Sequence, residues 1–187
     1  MVEVRSLGLD GVLEIVPPKF QDERGFFSET WNAEKLAQAG VEIDFVQDNH
    51  SYSAPRGVLR GLHFQTPPFA QDKLVRVLRG SVFDVAVDIR KGSPSFGRWV
   101  GVTLSEKKWN HSHVPKGFAH GFVTLEPDTE VVYKVSAPYS QPNDRSVRFD
   151  DPDIAIDWPV PAAEMTVSAK DGAAPRLSEI ETGFVYP

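Results

Sequence analysis

Residues 73–89 read KLVRVLRGSVFDVAVDI. Within this stretch Phe83, Val85, Val87 and Ile89 alternate with Val82, Asp84, Ala86 and Asp88, a period of two kept over eight residues. Successive strand side chains point to opposite faces, whereas a helix repeats at 3.6, so the stretch reads as β-structure. Gly80-Ser81 interrupts it, and glycine at the first loop position suits a type II′ hairpin turn. Paired across such a turn, Lys73 would share a face with Asp84 and Asp88 and stand opposite Asp88.

Outward from this stretch, further short apolar or aromatic runs lie at 12–16, 26–31, 57–65, 98–104, 118–125 and 130–135, each bounded by Gly, Pro, Ser, Asn or Asp. The 14 Gly and 15 Pro are spread along the 187 residues and not pooled in a linker, which fits many short strands and disfavours long helices. One helix is expected, capped by Asn32, running over 33–39 and ended by Gly40, with one more short turn within 159–164. The pattern predicts an all-β fold, a β-sandwich or jelly roll with a few short helices. No boundary divides the chain, so residues 1–187 are read as one domain. The segment after Pro159 is expected to be a lid or a partner-binding extension.

Composition narrows the function. With 20 Lys and Arg against 26 Asp and Glu the net charge is −6, so there is no general basic field to gather nucleic acid, although a local basic pocket could hold a diphosphate. The absence of cysteine excludes disulfides, thiolate nucleophiles and zinc–thiolate sites, and it fits a reducing cytoplasm. The first residues lack a basic-then-apolar leader. No apolar run approaches the ~18 residues of a membrane span, so a cytoplasmic protein without a membrane partner is expected.

Five histidines offer the first chemistry: His50, His63, His111, His113 and His120. His111 and His113 would share one face of a strand, but no carboxylate stands at ligand spacing and Gln65 occupies the place of a second ligand near His63. They are read as solvated strand residues, and no metal is expected. In GVLRGLHFQ (residues 57–65), Arg60 and His63 are three apart and would face opposite ways on a regular strand. A bulge at Gly61 would turn both inward; the alternative is an edge strand with a wet polar face. His120, between Gly117 and Gly121, is either a ligand contact or a core histidine bonded to a carbonyl. Tyr133 is either a proton donor or a core aromatic. Lys73 is either a site cation or half of an exposed pair with Asp88. Lys170 and Asp171 lie in the turn-like SAKDG segment. Together these side chains offer a base, an acid, a cation and an aspartate on a β scaffold, a set suited to proton transfer.

The stretches DERGFFSETW, FVQDNHS, GVLRGLHFQ, KLVRVLRGSVFDVAVDIRKGSPSFGRW, VPKGFAHGF, YKVSAPYS and SAKD occur in order from about residue 20 to 171. In this the chain resembles the dTDP-4-dehydrorhamnose 3,5-epimerases, cupin-type enzymes of dTDP-L-rhamnose synthesis. The resemblance implies a cupin jelly roll, a homodimer, and cofactor-free epimerisation of dTDP-4-dehydro-6-deoxy-D-glucose at C3 and C5. It implies His63 as general base, Asp171 as the group fixing its tautomer, Tyr133 as acid on the opposite face and Lys73 beside the C4 oxygen. Arg24, Glu29, Gln47, Asp48, Asn49, Arg60, His120 and Lys170 would hold the nucleotide sugar, with Tyr139 stacked on thymine. Three positions depart from the family pattern: Asp144 stands where Glu is frequent, Ser146 replaces Gly and Phe149 replaces Trp. The loop SYSAPRG is one residue longer than common. A mono-epimerase of another deoxysugar route, a non-catalytic sugar-nucleotide binder and a metal-dependent cupin oxygenase are the rival readings.

Overall fold

The computed structural model describes residues 2–187. Its elements in chain order are β1 (Glu3–Ser6), β2 (Leu13–Val16), β3 (Lys19–Asp22), β4 (Gly25–Ser28), α1 (Ala33–Gln38), β5 (Gln47–Ser53), β6 (Val58–Gln65), β7 (Lys73–Arg79) and β8 (Ser81–Asp88). There follow β9 (Trp99–Ser105), β10 (His111–Val114), β11 (Phe118–Thr124), β12 (Thr129–Val135), β13 (Asp144–Ser146), β14 (Thr166–Val167) and α2 (Ala169–Gly172). One sheet has the order β1-β2-β10-β7-β12-β5, and the facing sheet has the order β13-β6-β11-β8-β9, with β14 added in parallel to β6. This is the all-β sandwich expected from the alternation.

The hairpin expected at Gly80-Ser81 does not form. β7 pairs with β10 and β12 in the first sheet, and β8 pairs with β11 and β9 in the second, so the two residues turn the corner between sheets. Neither strand pairs with the other, and Gly80 (φ 79°) packs so tightly against Thr129 that a Cβ would stand 2.4 Å from its Oγ1. Lys73 therefore does not face Asp88. Asp88 instead accepts bonds from Arg90, Ser93 and Ser95, and Lys73 is buried inside the sandwich.

Both faces of β8 are covered. Val85, Val87 and Ile89 pack with Leu62, Phe64, Val147 and Ile154 on the outer face of the second sheet. Val82 and Ala86 point between the sheets, into separate apolar clusters with Phe122 and Phe118 respectively. Asp84 lies between Val82 and Ala86 on that inward row, and His120 lies between Phe118 and Phe122 on the neighbouring one. A polar layer is thus held between two apolar ones. The outer face of the first sheet is partly covered by α1 through Leu36, packed with Ile15, Val41 and Leu74. Asn32 caps α1 by accepting from Lys35 N at 3.0 Å, as expected.

The segment after Pro159 is not a loose lid but packs on its own chain. Val160 is buried against Leu59 and Val123, β14 lengthens the sheet at β6, and α2 follows directly. His111 and His113 are likewise not solvated: both are buried, because β10 is enclosed between β2 and β7. His113 uses Nδ1 to bond Gly11 O at 2.9 Å. No helix among the described residues is long and apolar enough to cross a membrane.

Candidate active site

The spacing of Arg60 and His63 is resolved by a bulge. On β11, His120 pairs with His63 and Phe122 with Arg60, so a single β11 residue, Gly121, opposes both Gly61 and Leu62. The extra residue turns Arg60 and His63 to the same side, and both line a cavity of about 450 Å³ between the sheets. Leu62, displaced outward, is fully buried in the outer core. Only glycine fits at the bulge: Gly61 has φ 136°, and a Cβ there would meet Gly121 Cα at 2.5 Å and His120 O at 2.9 Å.

α2 supplies the group behind His63. Ser168 caps this short helix, accepting from Asp171 N at 3.1 Å, and the Asp171 carboxylate reaches His63 Nε2 at 2.6 Å. Burial works to raise the Asp171 carboxyl, but hydrogen bonds from His63, Gly61 N and Ser168 outweigh it and hold the group below the ordinary carboxylate range. An ionised carboxylate can only accept, so Nε2 carries the hydrogen and Nδ1 is left as the basic nitrogen of His63.

Tyr133 lines the same cavity from β12, on the facing sheet. Burial raises its phenol pKa, with Asp144 adding to this and Arg60 opposing it, so the phenol keeps its proton at neutral pH. Lys73 is only 7% exposed and donates to His63 O at 3.3 Å. Burial lowers its pKa to about 8, while the charges of Asp84 and Asp144 support the cation. His120 is buried with Nε2 at 2.7 Å from Asp84 Oδ1. Its partner is thus a carboxylate and not the carbonyl considered from the sequence. Burial lowers its pKa, against the pull of Asp84.

A narrower space opens from this cavity, sharing His63, Lys73, Tyr133 and Lys170 and adding Gln47, Asn49, Tyr139 and Asp144. Tyr139 N donates to Gln47 Oε1 at 3.0 Å, its hydroxyl reaches Asp144 at 3.4 Å, and Lys170 pairs with the same carboxylate. Asp144, shorter than the Glu frequent at this place, still joins the pair. Arg60 donates to Tyr52 O at 3.0 Å at the rim.

Three expected site residues are not brought to this cavity. Asp48 alternates with Gln47 and Asn49 on β5, so its side chain faces outward, where it binds Lys134 Nζ at 2.8 Å. Arg24 lies in the β3–β4 hairpin and pairs with Asp22, and Glu29 accepts from Lys35 Nζ at 2.6 Å. Conversely, three lining or supporting groups were not singled out from the sequence: Asp84, Ser112 and Ser51. Ser51 Oγ is buried at the cavity wall without a hydrogen-bond partner. An acid within the apolar run 82–87 was the available signal for Asp84. Among the described residues no group of three or more His, Asp or Glu side chains is arranged to hold a metal ion.

Residues 6–179 match the family model described as dTDP-4-dehydrorhamnose 3,5-epimerase. The chain is 48% identical over 182 residues to the dTDP-4-dehydrorhamnose 3,5-epimerase of Sinorhizobium fredii, covering 97% of this chain and 93% of that one. It is 53% identical over 150 residues to that of Shigella flexneri, covering 80% and 82%. In shape it is similar to the crystal structure of dTDP-6-deoxy-D-glucose-3,5-epimerase from Legionella pneumophila Philadelphia 1 in complex with dTDP-4-keto-L-rhamnose, with a TM-score of 0.95, 43% identity and all of both chains covered.

Proposed function

Since the chain belongs to the dTDP-4-dehydrorhamnose 3,5-epimerase family, we propose that it inverts C3 and C5 of dTDP-4-dehydro-6-deoxy-D-glucose, giving dTDP-4-dehydro-L-rhamnose. The observation that carries this reading is the His63–Asp171 pair on one sheet and the Tyr133 phenol on the other, around one cavity with a buried lysine. The C4 ketone acidifies the hydrogens on C3 and C5. His63 Nδ1 takes one as a proton, and the C–H electrons pass to the C4 oxygen as an enolate. Lys73 meets that charge in a site largely withdrawn from water, where an aimed cation counts most. Tyr133 then gives its proton to the opposite face of the same carbon, which inverts it, and is reprotonated from solvent. Asp171 steadies the transient imidazolium, which releases its proton to solvent before the second carbon is inverted in the same way.

Lys170, Arg60, Gln47, Asn49 and Tyr139 line the way out of the sugar cavity, where the diphosphate and thymine would lie. The planar donor fork of Arg60 suits a phosphate oxygen pair. The whole chain acts as one unit in this reading, because Asp171 from the C-terminal segment completes the site on β6. A cytoplasmic setting accords with the nucleotide-sugar substrate and the lack of cysteine.

The reading includes a homodimer. Arg24 and Glu29 do not reach the cavity of their own chain, and the β3–β4 hairpin that carries Arg24 exposes Phe20, Phe26 and Phe27 by 62%, 54% and 70%. An apolar ribbon of this kind is a contact surface, and in a second copy it would bring Arg24 to the nucleotide. Sedimentation is expected to give twice the chain mass, with Phe27→Ser weakening the dimer; a wild-type protein that sediments as a monomer would remove this part of the reading.

Turnover in deuterated water tests the chemistry. Product formed there is expected to carry solvent deuterium at both C3 and C5, read by NMR. Label at one carbon only would make the protein a mono-epimerase, and label at neither would leave a binding protein.

A further inference from the structure

We propose that Asp84 is a positioning residue for the enolate step: it holds the His120 ring by Nε2, leaving Nδ1 to accept a hydrogen bond from a sugar hydroxyl, and it is the buried countercharge for the Lys73 cation beside the C4 oxygen. This rests on the epimerase reading above.

Asp84 is 2% exposed and lies in the polar layer between the two apolar clusters. Nothing in its own strand requires an acid there, since Val82 and Ala86 on the same row are core residues. An unpaired buried carboxylate is strongly disfavoured, so its partners explain its presence. Oδ1 lies 2.7 Å from His120 Nε2, and Oδ2 accepts from Ser112 Oγ at 2.6 Å. Ser112 is itself buried on β10 of the opposite sheet, so Asp84 is clamped from both sheets. Lys73 of β7 is buried as well and makes no direct bond to Asp84, but the charge of Asp84, followed by that of Asp144 of β13, offsets the lowering of its pKa by burial. Around His120 the titratable neighbours are Asp84, Lys73 and His63.

The hydrogen-bond inventory then divides the work. A carboxylate accepts, so His120 must place its single hydrogen on Nε2, and Nδ1 keeps a lone pair. A neutral His120 of this tautomer cannot donate to an enolate oxygen. It can accept from a hydroxyl. The C4 oxyanion is therefore left to Lys73. Asp84 raises the proton affinity of Lys73 against burial, which otherwise strips the charge.

The sign of the pH effect follows. Lys73 is active as a cation, so activity falls as pH rises through its pKa, near 8 in the wild-type protein. Asp84→Asn keeps the size but removes the charge, so the alkaline limb of kcat should move about one unit lower, with turnover at pH 8 reduced roughly fourfold more than at pH 6.5. A loss of rate equal at every pH from 6 to 9 would mean a merely structural role and overturn the proposal. The wild-type protein offers a second test that needs no variant: nitrogen-15 NMR of histidine should find His120 protonated on Nε2 alone, and a hydrogen on Nδ1 would equally overturn it. If the wild-type enzyme exchanges no deuterium into the sugar, the epimerase reading fails; if it does so and either Asp84 test fails, only the role of Asp84 is lost.

Discussion

His63→Ala is expected to lower turnover by about 10³-fold, and with it the entry of solvent deuterium at C3 and C5. General-base catalysis typically contributes about 10²- to 10⁴-fold, and no other group on this wall can take over. Arg60 carries only donors, and Asp171, although it touches the cavity, is almost fully buried behind the imidazole and is tied up by Gly61 N and its own helix. Removing the ring also leaves the Asp171 carboxylate with a vacancy where its donor stood, so Asp171→Asn provides the complementary variant. The amide would still reach His63 but would stabilise the imidazolium poorly, and a fall of about 10²-fold is expected. Binding of dTDP, read by calorimetry, should change less than about threefold in both, because the nucleotide groups belong to the neighbouring space. Exchange at C3 or C5 persisting near the wild-type rate in His63→Ala would assign the base elsewhere.

The fold was legible where one face of a strand is apolar and obscure where neither is. The row of Phe83, Val85, Val87 and Ile89 announced β8 because it packs under the C-terminal segment. β5 escaped notice for the opposite reason. Its sequence QDNHSYS is polar on both faces: Gln47, Asn49 and Ser51 line the site spaces, while Asp48, His50 and Tyr52 face outward. A strand that builds a polar site from its inner face shows no hydropathy alternation. The Gly80 corner illustrates a second limit. Local turn chemistry cannot distinguish a hairpin from a passage between sheets, because the difference lies in the strands that each side pairs with afterwards.

The site was legible as residue types and not as partners. Arg60, His63 and Gly61 suggested a bulge from spacing alone, and the register shift at Gly121 bears this out. That Asp171 stands behind His63 came from resemblance, since 108 positions separate them. Buried polarity is the common thread in what was missed. His111 and His113 read as residues that ought to meet water, Asp84 was placed only on a face shared with Lys73, and all three are enclosed. Asp84 has a bonded partner on each sheet, and the energetic cost of placing it and Lys73 inside the sandwich is met by these contacts and not by solvent. The interior can stay polar where the reaction needs charge because the apolar clusters above and below it provide the packing.

Tyr133→Phe should separate two events that the wild-type enzyme joins. Loss of the phenolic hydrogen leaves His63, Asp171 and Lys73 untouched, so proton removal and enolate formation should continue. Inversion requires a proton from the other sheet, and phenylalanine has none to give. The enolate would then be reprotonated by His63 from the face it was taken, after the imidazolium has exchanged with solvent. The expected result is substrate that gains deuterium while keeping its configuration, with inverted product reduced by about 10²- to 10³-fold. The swap is nearly isosteric and removes a hydroxyl for which the described residues show no hydrogen-bond partner, so stability should change by less than about 1 kcal/mol. Time-resolved NMR in deuterated water reads exchange and configuration in one sample. Inverted product at the wild-type rate would take the acid role from Tyr133, and loss of exchange in parallel with inversion would make the tyrosine part of enolate formation itself.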